Sequence, residues 1–560
     1  MNLLHNIYLV QAQYLSISPG GRKQYWLPYS VGCLWAYAKT FEDIVDKFNL
    51  KELMYAREPH NDILDRLDNP SLMFFSNYTW NEQYNLKLAK SVKEKHPNTI
   101  IVFGGPSTTE GHTKFSFIDS VVLLEGEMSF VQLLRDYLNE EIKTIYISDR
   151  ITDLSILPSP YTTGVFDDIL KTNPDFWQAT VESNRGCPFS CTFCDWGSLT
   201  NSKIKLFPLE KLEAELKWFK EHKVTYLYLT DGNFGIFKDR DLGIAHMIRD
   251  ILEDSLLDGI FLNWTKNSGE VEVQMLKILI KWHTRGLTLA TQSMDPKVLK
   301  AIKRKNLANG NFSHLFKLLD KEKIPYYTEF ILGLPEESLE SWKKGLTDVL
   351  EMGQHDRIDF WLTDILPGSE LAHPSYIEKY DIKTKIIYNN LNFNHDNDEV
   401  LERQRIVVST NTMSSEEMIE AYIYAWMIQS FHSSGFSQYH ARLARKHGIS
   451  YRDFYDRFFE KIKNTQPLKD HYYEFRSEVE KTILVNQNSD VKFTRLPDSH
   501  SLDFIKNNID TIDKIGKSIL DAYNLRPNRI IQITKDTFNF DSVANRKKQN
   551  ISSVVSELLI

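Results

Sequence analysis

Through the first two-thirds of this chain, short apolar runs bounded by glycine or polar turns alternate with stretches whose apolar residues recur every three or four positions. IYLVQA near the start, SLMFFSN at 71–77, TIIVFGG at 99–105 and SVVLLEG at 120–126 read as buried strands. Between them, NEQYNLKLAKSVKEKH places Tyr84, Leu86, Leu88, Ala89 and Val92 mainly on one helical face. Such alternation predicts an α/β unit over residues 1–150, a parallel sheet with helices on both sides. Ligands of such sheets bind beyond the carboxyl ends of the strands. Gly104-Gly105-Pro106 and Glu125-Gly126-Glu127 fall at such ends, where glycine permits close backbone approach or simply makes a tight turn.

Residues 151–175, with ILPSPYTTG at 156–164, read as a connector. Alternation restarts over 176–375. WQATVESNRG, VTYLYLTD (224–231), GIFLNWT (259–265), GLTLATQS (286–293), PYYTEFILG (325–333) and RIDFWLTDIL (357–366) are strand candidates separated by amphipathic stretches. Six strand–helix units predict a partial barrel with its chemistry at the carboxyl ends of the strands. The informative residues are then those after each run: Asp231 and Asn233, Lys266 and Asn267, Gln292 and Ser293, Glu329, and Asp364. From 376 to 560 the pattern is mainly helical, as in EEMIEAYIYAWMIQSFH and YRDFYDRFFEKIK, after an asparagine-rich surface connection, YNNLNFNHDND.

Composition narrows the class. Hydrophobic content of 42% in 560 residues describes a globular chain of several domains. No apolar stretch approaches the length of a bilayer span. Acids and bases are interleaved at a net charge of -8, so no basic field is offered to nucleic acid, and KAIKRK at 300–305 reads as a solvated helix face. The start, MNLLHNIYLV, has no export signature, so a reducing cytoplasm is the expected location.

Against that background the cysteines stand out. Three of the four, Cys187, Cys191 and Cys194, share one loop at C-x3-C-x2-C spacing. A structural zinc site needs a fourth Cys or His, and none is obvious nearby. Three thiolates on a four-iron cluster leave one iron open for a small molecule and for electron delivery. The alternatives are zinc completed by a distant histidine, or thiols that meet no metal. Cys33, in SVGCLWAYA, reads as a buried core thiol, and one remaining cysteine is too few for a second thiolate-held cluster.

The loop RGCPFSCTFC resembles that of radical S-adenosylmethionine (SAM) enzymes, in which three cysteines hold a 4Fe–4S cluster and SAM chelates the remaining iron. The segments FSNYTWN, VFGGPS and FIDSVVLLEGEMSF resemble the amino-terminal Rossmann-like cobalamin-binding domain of one subgroup. TDGNFG, ATQSMDPKVLKAIKRKN, TEFILGLPEE and ILPGSEL then follow in family-like order, so the resemblance covers roughly the first 370 residues. It implies Cys187, Cys191 and Cys194 as cluster ligands and Phe193 beside the SAM adenine. Asp231 or Asn233, in place of the usual G-G-E, takes the SAM amino group. Gln292, Ser293 and Glu329 contact ribose or the methionine moiety, and Arg304 the carboxylate. On the cobalamin side it implies Ser76, Gly104, Gly105, Glu125, Gly126 and Glu127, with Trp80 over the lower face; the residue alternative for Trp80 is a core anchor. The D-x-H-x-x-G motif that supplies a cobalt-binding histidine is absent, as in many members of the subgroup.

The activity implied is reductive cleavage of SAM to a radical that abstracts hydrogen, with cobalamin-dependent methylation of an unactivated carbon as the leading reading. The alternatives are rearrangement, cyclisation or oxidation without methyl transfer, and a non-catalytic iron–sulfur sensor. The expected partners are a small-molecule or peptide substrate and an electron donor such as flavodoxin or ferredoxin, and the helical third zone is a natural lid.

Overall fold

The computed structural model describes residues 4–523 except 19, 174, 197–201, 267, 389–399 and 485–498. Asn267 and most of the asparagine-rich connection lie outside the described residues. The first zone yields β1 (His5–Gln13), β2 (Ser16–Ile17), β3 (Lys23–Trp26), β4 (Phe48–Ala56), β5 (Pro70–Ser76), β6 (Ile100–Gly104), β7 (Ser120–Leu123) and β8 (Ile145–Ile147). Six of these form a sheet in the order β4-β1-β5-β6-β7-β8, with every neighbouring pair parallel. Strand alternation explains the continuous apolar runs. Ile7 and Leu9 face one core while Tyr8, Val10 and Ala12 face another, and Leu72 and Phe74 are divided from Met73 and Phe75 in the same way.

The second zone supplies β9 (Phe176–Val181), β10 (Asn184–Cys187), β11 (Ser202–Leu206), β12 (Val224–Phe234), β13 (Gly259–Trp264), β14 (Leu287–Gln292), β15 (Tyr326–Leu332) and β16 (Arg357–Leu362). All six expected barrel strands are present, as parallel neighbours in two groups, β9–β12–β13 and β14–β15–β16. β10 and β11 form an antiparallel hairpin that carries the first cysteine. The fold class is therefore α/β as expected, with one addition. The β2–β3 hairpin leaves the first sheet and extends the second, in the order β13-β12-β9-β3-β2. One apolar core accordingly runs from Ile7 and Phe74 to Trp177, Leu227 and Leu289.

The third zone is helical after an antiparallel hairpin, β17 (Lys383–Tyr388) with β18 (Arg403–Ser409), which the helical reading of the sequence missed. The helix Ser415–Met427 begins with a capping box in which Ser414 Oγ accepts from the Glu417 amide at 3.3 Å and the Ser414 amide donates to Glu417 Oε2 at 2.8 Å. It packs with the helices Tyr451–Ile462 and Leu468–Leu484 over β15 and β16, in a second core that includes Phe330, Phe360, Tyr422 and Phe458. No described helix is long and apolar enough to cross a membrane.

Candidate active site

The three cysteines face one cavity of about 210 Å³ at the carboxyl ends of the barrel strands, lined also by Phe193, Asn233, Lys266, Gln292, Arg304 and Glu329. The loop is pinned on both sides: the Thr192 amide donates to the Ile302 carbonyl at 3.2 Å, and the Leu371 amide to the Thr192 carbonyl at 2.8 Å. Donors and cations surround the sulfurs. Asn233 Nδ2 donates to Cys187 Sγ at 3.2 Å, Arg304 hydrogen-bonds Cys191, and the Lys266 ammonium lies 3.4 Å from the centre of the Phe189 ring within the field of Cys191 and Cys187. Burial pushes both Lys266 and Arg304 below their ordinary values, and the sulfurs oppose that shift. Thiolates need such surroundings. Three thiols on one cavity, with an amide donor and two cations beside them, fit an anionic thiolate cluster.

The expected SAM residues divide into those that face this cavity and those behind its wall. Phe193, Asn233, Gln292, Arg304 and Glu329 line it. Gln292 is only 9% exposed and sits at φ +63°, so the last residue of β14 aims a non-glycine side chain inward at some backbone cost. Arg304 is held by Asn306 Oδ1 at 3.0 Å and by the Ala290 carbonyl. KAIKRK is therefore not one solvated helix face: its helix, Pro296–Ala301, ends early and turns Arg304 inward. Burial also raises the Glu329 carboxyl. Asp231, by contrast, is fully buried, and its carboxylate accepts from the Ser183 amide at 2.8 Å, the Asn184 amide at 3.1 Å and the Ser183 hydroxyl. Burial pushes it up to about 7. Ser293 is likewise turned away, donating to Glu337 Oε2 at 2.6 Å. Of the open pair Asp231 or Asn233, only Asn233 reaches the cavity.

A larger cavity, about 1370 Å³, lies between the carboxyl ends of the first sheet and the mouth of the barrel. Ser76, Trp80, Gly104, Gly105, Glu125, Gly126 and Glu127 all line it, as do Phe193, Cys194 and Asp364. The two glycine turns end β6 and precede the helix Glu127–Leu138. Gly105 has φ +93°, and a Cβ there would meet Asn77 O at 2.7 Å, so this turn is closed to any other residue. Trp80 stacks on Tyr78 with ring centres 4.3 Å apart, and Tyr78 shares a 2.6 Å hydroxyl contact with Ser30. The Trp80 indole nitrogen is buried with no hydrogen-bond partner among the described residues. No histidine is among the described residues of the wall. A wide, amide- and aromatic-lined slot over glycine turns fits a flat cofactor that takes no protein nitrogen. Cys33 is on the expected helix, Tyr29–Ala38, but only partly buried, on the wall of this cavity rather than in a closed core.

Two features of the wall escaped the sequence reading. Arg185, two residues before the first cysteine, pairs with Glu127 at 2.8 Å and with Glu182 at 3.0 Å. Burial alone would raise Glu127; Arg185 holds it below its ordinary value. The arginine's place inside the cysteine motif was the available signal. Asp195, directly after the last cysteine, also faces the cavity, beside Asp364, which the strand-end pattern marks; burial pushes them up to about 7 and about 6, Asp195 also by the charge of Asp364.

Comparison with known proteins agrees with this geometry. The Radical SAM superfamily model matches residues 181–348. Over 475 residues the chain is 33% identical to the cobalamin-dependent radical SAM methyltransferase TokK of Streptomyces tokunonensis, covering 78% of this chain and 69% of that one. The chain belongs to the cobalamin-dependent radical SAM methyltransferases. This radical SAM methyltransferase is also 32% identical over 476 residues to the 2-(S-pantetheinyl)-carbapenam-3-carboxylate methyltransferase of Streptantibioticus cattleyicolor, with the same coverage, 78% and 69%. In fold it is similar to the cobalamin-dependent SAM radical enzyme OxsB, solved with aqua-cobalamin and SAM, at a TM-score of 0.53 and 13% identity, covering 99% of this chain and 84% of that one. Its cofactors are a 4Fe–4S cluster, SAM and cobalamin.

Proposed function

We propose that this methyltransferase alkylates a carbon of a small molecule held in the larger cavity, with the two cofactor sites opening on opposite walls of that space. In this reading Cys187, Cys191 and Cys194 hold the cluster, and SAM lies against Phe193, Asn233, Gln292, Arg304 and Glu329. Cobalamin lies over Ser76, Gly104, Gly105 and the turn Glu125–Glu127, with Trp80 against one face. Bound together, the cofactors supply a carbon-centred radical on the substrate and the methyl group that meets it.

The protein's own residues do the rest. Arg304 and Lys266 offset the charge of the thiolates, and Asn233 fixes the Cys187 sulfur by donating to it. Asp231 and Ser293 act behind the wall: the first anchors Ser183 and Asn184 at the base of the cysteine hairpin, the second ties the turn after β14 to Glu337. Trp26, Tyr228 and Phe261 give the substrate region an aromatic lining that keeps water from a reactive carbon. A single observation carries the reading: one continuous cavity touches both Cys194 and the Gly104–Gly105 turn.

The test is anaerobic turnover of cobalamin-loaded enzyme with methyl-deuterated SAM and candidate substrates drawn from metabolite extracts. The expected result is deoxyadenosine release together with a deuterated methyl on a product carbon. Replacement of any one loop cysteine by Ala is expected to abolish cluster absorption and SAM cleavage together. Cleavage that survives Cys194→Ala sinks the cluster assignment, and deoxyadenosine without labelled product in every case sinks methyl transfer.

A further inference from the structure

The chain between the third zone and the first makes one unexpected tie. Arg57 and Glu402 meet at 2.7 Å with side chains only 4% and 1% exposed, 345 positions apart in sequence. The guanidinium lies between the rings of Tyr14 and Tyr84, 4.4 and 4.6 Å from their centres. It also donates to the carbonyls of Val400 at 2.8 Å and Trp80 at 3.3 Å. Glu402 in turn accepts the amides of Gln83 at 2.8 Å and Tyr84 at 3.1 Å, which open the helix Glu82–Lys95.

That helix needs an outside cap. Its own N-cap residue, Asn81, makes no capping bond, because its side chain receives the Tyr78 amide at 2.8 Å and reaches the carbonyls of Ser76 and Ala12 at 3.0 and 3.2 Å. A distant carboxylate fills the place that a local Ser or Asp ordinarily takes. Trp80 is thereby held from both sides: its carbonyl by Arg57, the turn before it by the Asn81 side chain and the helix start after it by Glu402.

Directly after Glu402 the chain enters β18 and goes on to the opposite wall. Gln404 Nε2 donates to Asp364 Oδ2 at 3.1 Å, the Ile365 amide to the Arg405 carbonyl at 2.8 Å, and the Val407 amide to the Thr363 carbonyl at 2.9 Å. Residues 400–407 therefore brace Trp80 on one side of the large cavity and Thr363–Asp364 on the other, and all three residues line it.

We propose that Arg57 and Glu402 are positioning residues for Trp80, setting the indole against cobalamin through a clamp supplied by the carboxyl-terminal part of the chain. This rests on the reading above that Trp80 faces the corrin. The pair touches no reacting atom; it acts through the backbone of Trp80 and the first turn of the helix.

The test compares Glu402→Gln, Glu402→Ala, Arg57→Lys and Trp80→Ala as cobalamin- and cluster-loaded full chains. The readouts are the electron paramagnetic resonance spectrum of the cobalt(II) state, cobalamin retention on gel filtration, and deoxyadenosine formation. Glu402→Ala is expected to move the spectrum toward that of Trp80→Ala and to weaken retention by about tenfold, less than the full cost of breaking a buried ion pair. Glu402→Gln, which keeps shape and one acceptor oxygen, is expected to fall between, and Arg57→Lys to stay nearer wild type. In the Glu402 and Arg57 variants deoxyadenosine formation is expected to hold within about twofold, because neither residue lines the cluster cavity. Wild-type spectra in both Glu402 variants beside an altered Trp80→Ala overturn the clamp alone. An unaltered Trp80→Ala spectrum overturns the reading of Trp80 beneath it. Loss of deoxyadenosine in step with cobalamin makes the pair a general brace of the fold and overturns the proposal as well.

Discussion

Asp231 shows how burial can reassign a residue that position in sequence marks as a ligand. Its carboxyl is fully buried at the end of β12 and raised to about 7 from an ordinary 3.8. A raised acid contributes stability that is complete below its unfolded value and is lost as pH climbs through the folded one. The window for Asp231 is therefore about pH 4 to 7. An Asn in the same rotamer keeps an oxygen for the Ser183 and Asn184 amides and turns an amide toward Ser183 Oγ, which already accepts from Arg240 at 2.9 Å. Asp231→Asn removes the titration, so the stability difference between variant and wild type is expected to shift in the variant's favour from pH 5 to 7.5, by at most about 1.4 kcal/mol per pH unit. Melting of the cofactor-free chain at stepped pH measures it, and a gap that stays flat across that range defeats the assignment. At this scale the sequence told residue type and neighbourhood well. It could not tell Asp231 from Asn233, two positions apart on one strand end, because which one the Ser183–Asn184 amides capture is decided by packing. Ser293 and Gln292 were inseparable for the same reason.

Elements were most legible where apolar periodicity was strong. The six barrel strands and the helices Glu82–Lys95 and Tyr451–Ile462 were all readable from their spacing. What escaped notice were hairpins: β2–β3, with strands of two and four residues, β10–β11 beside the cysteines, and β17–β18, where a polar half precedes an apolar half in KTKIIY and RQRIVVS. Short or half-exposed ladders are stabilised by partners far away in sequence, so local pattern carries little of their signal. β10 matters most, since it fixes Arg185 between Glu127 of the first sheet's helix and Glu182 of the barrel. Replacing Arg185 by Met leaves two largely buried carboxylates facing each other. The expected cost is about 3–5 kcal/mol of stability, with a substantial part recovered in the double variant Arg185→Met, Glu127→Gln. Denaturant titration of the two variants checks this; equal losses in single and double variants would mean that the arginine's packing, not its charge, is what counts.

For the whole molecule, three independent contacts argue that the first sheet and the barrel are one folding unit despite their separate motifs. β3 pairs in parallel with β9, Arg22 reaches Asp258 at 3.5 Å, and Trp177 of β9 is 1% exposed against Tyr55 of β4, with ring centres 5.2 Å apart. An isolated barrel fragment, residues 151–375, would uncover the ladder edge of β9 and the apolar faces of Trp177, Ala179 and Leu227 together. It would also lose the helix Ser415–Met427, whose Ala421 carbonyl accepts from the buried Trp342 indole at 2.9 Å. A central strand turned into an open edge beside a bare apolar face invites association rather than folding. The fragment is therefore expected to be aggregated or to lack near-ultraviolet dichroism, whereas the full chain folds. A soluble fragment that melts cooperatively and rebuilds the cluster would show that the shared core is not needed, and that the first sheet is an attachment to the barrel instead of half of its support.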